Sequence, residues 1–221
     1  MTRLSLLLSA LVILLLAGLP FLYADLRYRT YRNFRVVDDG VVYRSGQMSR
    51  AGFERVCREK GVRTVIKLRD DDERKPADVA LDDAEEAYCK ARGIEFVRLS
   101  PRIWEEEPTL ALLGGGAAKT PTAVPMGVNL REFESLILRE KLCPRPVLVH
   151  CFAGIHRTGS HVAVYRVLFD NYTPAEAMAE FKSCGKLTST YEGNLVPYMA
   201  DVYLPDLYER VHGRPVGEHR R

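Results

Sequence analysis

The chemistry of this 221-residue chain is concentrated in ten residues, His150-Cys151-Phe152-Ala153-Gly154-Ile155-His156-Arg157-Thr158-Gly159. A thiol and a guanidinium stand six positions apart, glycines lie on either side of the arginine, and the apolar run Val147-Leu148-Val149 leads in. The pattern reads as a short buried strand that delivers Cys151 into an anion-cradling loop, followed by a helix from Gly159 through Phe169. Cysteine attacks as thiolate, a form favoured by a helix N-terminus or a nearby cation. Both aids are within reach. Backbone N–H groups of residues 152 to 157, curled around the sulfur at a helix start, form a concave nest that suits thiolate and dianionic phosphate alike. Arg157 carries a planar fork that grips two phosphate oxygens, and the grip tightens as charge spreads in the transition state. The expected phosphate-binding residues are therefore Phe152, Ala153, Gly154, Ile155, His156 and Arg157. Gly154 and Gly159 are expected to allow close backbone approach to the ligand. His150 is expected to orient the loop by hydrogen bonds, Thr158 to donate its hydroxyl to the departing sulfur, and His156 to add positive charge at lower pH. The chemistry is phosphoryl transfer through a cysteine nucleophile.

The string His-Cys-x-x-Gly-x-x-Arg-Thr-Gly resembles the signature of the cysteine-dependent protein tyrosine and dual-specificity phosphatases. Val42-Tyr43-Arg44-Ser45-Gly46-Gln47, then Gly61 through Arg69, then Gly93-Ile94-Glu95-Phe96-Val97 follow the order seen in compact, atypical dual-specificity members, so the resemblance spans residues 35 to 200. It implies that Cys151 is the nucleophile and Arg157 the phosphate ligand, with no metal and no organic cofactor. It also implies a general acid, usually an aspartate, on a loop between the third strand and the signature. Here the sequence departs from the pattern, because no aspartate occurs between Asp83 and Asp170. Glu105, Glu106 and Glu107 are the nearest carboxylates, with Glu105 favoured because it follows Trp104; a glutamate does general-acid work when a partly buried site raises its pKa. Asp70, Asp71, Asp72 and Glu73 are the fallback, although four like charges in a row ordinarily form a solvated loop. Atypical members thought to prefer inositol phosphates often carry lysine where this chain has Ile155, which argues against a highly phosphorylated substrate.

Strand-like and helix-like segments alternate along the chain, the pattern of an α/β layer. Strands are expected at Val41 to Tyr43, Thr64 to Leu68, Ile94 to Leu99 and Val147 to Val149. Helices are expected from a cap at Ser49 to near Gly61, over residues 77 to 92, from a cap at Asn129 over Leu130 to Leu142, and from the capping box Thr173-Pro174-Ala175-Glu176 to Gly185. The fold class is a cysteine-phosphatase-like three-layer α/β architecture, a central sheet with helices on both faces, preceded by a transmembrane helix. Gly114-Gly115-Gly116 opens a glycine-rich stretch without the lysine arrangement of a nucleotide loop, and Lys119 reads as a solvated side chain.

A formal charge of +3 is too mild to argue for nucleic acid and no nucleic-acid motif occurs, so no nucleic-acid partner is expected. Five cysteines without paired spacing fit a reducing compartment rather than a disulfide framework or a metal site. Leu4 to Tyr23 is uncharged and almost wholly apolar, long enough at 1.5 Å per residue for a hydrocarbon core of about 30 Å. Leu22-Tyr23-Ala24 is a poor cleavage site, so an uncleaved single-pass anchor is favoured over export after signal cleavage. Arg27, Arg29, Arg32 and Arg35 after the span, against Arg3 before it, place the catalytic domain in the cytoplasm. The expected organisation is an anchor at 1–24, a juxtamembrane linker at 25–34, a phosphatase domain at 35–205 and a polar tail at 206–221. The expected substrates are phosphorylated proteins or small phosphomonoesters, with a phosphoinositide or inositol-phosphate phosphatase as the alternative and a catalytically weak phosphate-binding module as the reading from a different class.

Overall fold

The computed structural model describes residues 3–69, 76–99, 123–139, 143–187 and 195–213. The elements in chain order are α1 (Arg3–Thr30), β1 (Arg35–Asp38), β2 (Val42–Ser45), α2 (Arg50–Glu59), β3 (Thr64–Lys67), α3 (Pro76–Arg92), β4 (Glu95–Arg98), α4 (Ala123–Ile137), β5 (Val147–His150), α5 (His156–Phe169) and α6 (Pro174–Ser183). A short turn at Leu195–Pro197 and a π-helical turn at Tyr198–Tyr203 then lead into α7 (Leu204–His212).

The five strands lie in the order β1-β2-β5-β3-β4, all parallel except β1, which pairs antiparallel with β2 at one edge. Val147, Leu148 and Val149 of the central strand are fully buried, as an apolar run must be in a strand covered on both faces. Their alternation divides the core. Val147 and Val149 pack with Leu130 and Phe133 of α4, with α5 and α6, and with Leu204 and Leu207 of α7. Leu148 packs on the other face with Phe53, Val56 and Cys57 of α2 and Cys89 of α3. This is the expected three-layer arrangement. His150 is level with both Ser45 and Lys67, so the carboxyl ends of the three middle strands converge where an open α/β sheet binds its ligand.

Local capping is as expected at two helices: the Ser49 hydroxyl accepts from Gly52 N–H, and Thr173 with Glu176 closes a capping box. Asn129 does not cap a helix. It lies inside α4, buried, with its side chain 2.8 Å from His161 Nε2, a tertiary partner that overrides its local preference for a cap. The helix ends at Ile137, leaving Leu138 exposed. Two expected boundaries also move. Helix α1 runs to Thr30 through what was read as linker, its charged turn closed by an Arg29–Asp25 ion pair of 2.8 Å. At the other end the expected tail contains α7, which buries Leu207 and Tyr208 in the core and so carries the domain past residue 205 to at least His212.

Candidate active site

The loop after β5 begins at Cys151, which is buried with its Sγ 3.3 Å from the donating N–H of Gly154. Three successive carbonyls of this loop are held from outside. Phe152 C=O accepts from Gln47 N–H at 3.0 Å, Ala153 C=O from the Asn33 side-chain amide at 2.7 Å, and Gly154 C=O from Arg44 Nη2 at 2.9 Å. Each peptide plane points its carbonyl and the next N–H in opposite directions, so tying these oxygens outward turns the following amides toward the concave side. Gly154 makes this possible with φ +72°, and a Cβ there would lie 2.3 Å from the backbone nitrogen of Gly46.

Helix α5 starts at His156 with no side chain capping it, leaving its first amides for a ligand. Arg157, in that first turn, is buried, and its backbone carbonyl is held by the Ser160 hydroxyl and His161 Nδ1, each at 2.8 Å. Burial pushes the His161 imidazole down to about 4, so it holds this turn as a neutral ring. Phe152 projects at the loop's rim, 41% exposed, with the Arg32 guanidinium 3.9 Å and the Arg69 guanidinium 4.9 Å from its ring centroid.

Several expected roles change. The Thr158 hydroxyl is directed to the Ser45 carbonyl at 3.5 Å rather than to the sulfur. Gly159 serves helix packing rather than ligand approach, since a Cβ there would lie 2.2 Å from the Phe181 ring of α6. Burial first, and then the Arg157 charge, hold the His156 imidazole below its usual range, which opposes the positive charge expected of it. Ile155 packs against the core and against Gly185. The carboxylates proposed as acids, Glu105, Glu106, Glu107 and Asp70 through Glu73, lie outside the described residues, as does Lys119.

Behind the loop stands a buried polar cluster that local reasoning missed. The Lys67 ammonium meets the Asp82 carboxylate, Asp82 Oδ1 accepts from the Gln47 amide at 2.5 Å, and Gln47 Oε1 accepts from Arg69 at 2.7 Å. His150 joins it by bringing Nε2 to 3.5 Å from Glu85 Oε2. Burial, reinforced by the Lys67 charge, pushes the His150 ring down to about 3, which makes it a neutral support rather than a base. Burial pushes the Glu85 carboxyl up to about 8 despite the opposing attraction of Lys67. A charge directly after the apolar pair Val65-Ile66 of β3, at Lys67, was the local sign of this cluster.

Comparison with solved structures gives the same fold. The core catalytic domain of the PP-IP phosphatase SIW14 from S. cerevisiae, in complex with citrate, matches with TM-score 0.54 and 19% identity over 83% of this chain and 93% of that one. PTPMT1 matches with TM-score 0.53 and 20% identity over 82% and 97%. TpbA from P. aeruginosa, in complex with pTyr, matches with TM-score 0.52 and 17% identity over 83% and 92%. No curated protein sequence matches the chain significantly. The profile of the tyrosine phosphatase family matches residues 25–184, a stretch that contains both the helix end at Thr30 and the whole cysteine loop, so the chain belongs to the tyrosine phosphatase family and is a cysteine-dependent phosphatase.

Proposed function

We propose that the enzyme dephosphorylates phosphotyrosine or phosphoserine/threonine proteins, with Cys151 as nucleophile and Arg157 and the loop amides as phosphate ligands. Cys151 Sγ attacks phosphorus in line, forming the S–P bond as the P–O bond to the leaving group breaks. A carboxylic acid, assigned to Glu105, protonates the departing oxygen. Water then attacks phosphorus, the S–P bond breaks, inorganic phosphate leaves, and the water's proton returns to the carboxylate. The observation that carries this reading is the Gly154 N–H aimed at Cys151 Sγ in a loop whose carbonyls are tied outward. Cys151→Ser should reduce phosphate release from an aryl phosphate to background while leaving the thermal midpoint and some phosphopeptide affinity intact. Unimpaired turnover by that variant overturns the mechanism, and tight phosphopeptide binding without turnover in the wild type favours a binding module. Phosphoinositides are the second reading, supported by Arg32 and Arg69 beside the rim residue Phe152 and by a PTPMT1 structure solved with PI(5)P. A panel of phosphopeptide and phosphoinositide substrates separates the two.

Helix α1 is long and apolar enough to cross a membrane. We place it as an uncleaved anchor with the domain in the cytoplasm, on the basic excess that follows the span. Membrane fractions should then hold full-length protein that protease outside intact cells leaves uncut; a soluble form beginning near Asp25 would refute this.

A further inference from the structure

Where α1 meets the globular domain the structure holds a cleft of about 870 Å³. One wall is the end of α1 with the segment after it, and the other is the outer face of α2. The two walls join tightly: a Cβ at Gly52 of α2 would lie 2.0 Å from the Thr30 carbonyl oxygen, so no larger residue fits between them. The lining is amphipathic. Tyr28, Tyr31 and Phe34 supply aromatic surface, while Arg27, Arg35, Arg55 and Lys60 bring four cations against the single lining carboxylate of Glu59. Arg55 pairs with Glu59 at 2.7 Å and Lys60 approaches Asp39 at 3.5 Å, surface contacts that contribute little and yield readily to a stronger anion. Arg27 touches the Tyr23 hydroxyl at 3.4 Å.

The position of the cleft along α1 selects the occupant. Charge is absent from Leu4 through Ala24 and returns at Asp25. Arg27 therefore lies about 4.5 Å beyond the end of the uncharged run at 1.5 Å per residue, within a headgroup layer about 5–8 Å deep. We propose that this cleft binds the headgroup of an anionic phospholipid, its phosphate among Arg27, Arg55 and Lys60 and its glycerol and upper acyl carbons against Tyr23, Ala24 and Leu26, on the bilayer side of Arg27. Basic side chains beside an apolar span and aromatic rings at headgroup level are the features that recognise such lipids. Asn33 lines the same cleft and holds the Ala153 carbonyl of the catalytic loop, so the headgroup rests against a segment on which the active site leans.

This inference rests on α1 lying in a bilayer and is independent of the phosphatase reaction. The full chain, purified in detergent, is offered phosphatidylglycerol and phosphatidylcholine in equal amounts, and retained lipid is counted by native mass spectrometry. One phosphatidylglycerol per chain should be retained in roughly tenfold preference, the order expected when several basic side chains contribute. The triple variant Arg27→Glu, Arg55→Glu, Lys60→Glu should lose the preference, the milder pair Arg55→Gln, Lys60→Gln should reduce it, and thermal midpoints confirm that each is folded. Arg58→Glu, on α2 but outside the cleft, should keep it. Equal retention of phosphatidylcholine, an unchanged preference in the triple variant, or an equal loss with Arg58→Glu overturns the site. Release of the chain from membranes by alkaline carbonate overturns the anchor and the site with it, whereas a Cys151→Ser variant that retains the preference shows that the two readings fail separately.

Discussion

A sulfur buried away from water needs other donors, and at Cys151 the Gly154 backbone amide is one, a donor that carries no charge of its own and does not titrate. The proposed nucleophile and the proposed phosphate-binding arginine are legible in the sequence because the loop that joins them is local: six residues and a helix start fix their relation. The partners that set the loop are not local. Thr158 meets Ser45, Gly154 meets Arg44 and Ala153 meets Asn33, each more than a hundred positions away, so no spacing rule reveals them. The acid belongs to this scale too, and leaving-group chemistry exposes it. An aryl oxygen of low pKa departs without protonation, whereas an alkyl oxygen does not, so losing the acid should cost little on an activated aryl phosphate and about 10²- to 10⁴-fold on a phosphoserine peptide. We expect Glu105→Gln to show that contrast and to remove the basic limb of the pH–rate profile, more than Glu106→Gln or Glu107→Gln. Full activity of all three variants on both substrates would place the acid elsewhere.

Among the elements, the contact between α5 and α6 shows how a signature residue serves packing. Gly159 lies beneath the Phe181 ring, and Gly159→Ala must move that ring or the helix, so it should destabilise the fold by about 1–3 kcal/mol, the usual cost of overpacking. A thermal midpoint that stays level would show that the interface yields freely; a fall in midpoint with kcat preserved on the remaining folded enzyme would separate packing from catalysis. Helices that begin with their own cap, α2 at Ser49 and α6 at Thr173, were legible because capping is settled within four residues. The start of α4 was hidden because Asn129 answers to His161 across the core. Residues 25 to 30 read as a juxtamembrane linker, yet α1 continues through them with Arg29–Asp25 and Arg27–Tyr23 as i,i+4 contacts on its surface. At the other end, Leu204, Leu207 and Tyr208 keep helical spacing through a polar stretch, a signal masked by Asp206, Glu209 and Arg210 on the outer side.

For the molecule as a whole, the polar cluster behind the loop makes stability depend on pH in two opposite ways. The Glu85 carboxyl is raised from 4.5 to about 8, so its contribution is fully present below pH 4.5 and is lost as pH climbs toward 8. The His150 ring is depressed from 6.5 to about 3, so its contribution is present above pH 6.5 and is lost as pH falls toward 3. Glu85→Gln removes the first and leaves in place the burial that chiefly sets the second. Its midpoint should gain on the wild type steadily as pH rises from about 4.5 to 8, and a midpoint difference that is flat across that range would show that Glu85 does not titrate there. The unbroken run of α1 to Thr30 has a consequence of another kind. Thr30 lies seven residues past Tyr23, about 10 Å along the helix axis, and three residues later Asn33 already grips the catalytic loop. With α1 in a bilayer, nothing between anchor and active site serves as a flexible tether. The mouth rides at a fixed height, so the enzyme samples a thin slab of space parallel to the membrane, and its turnover tracks how many phosphates per unit area pass through that slab rather than how many are dissolved in the volume beyond it.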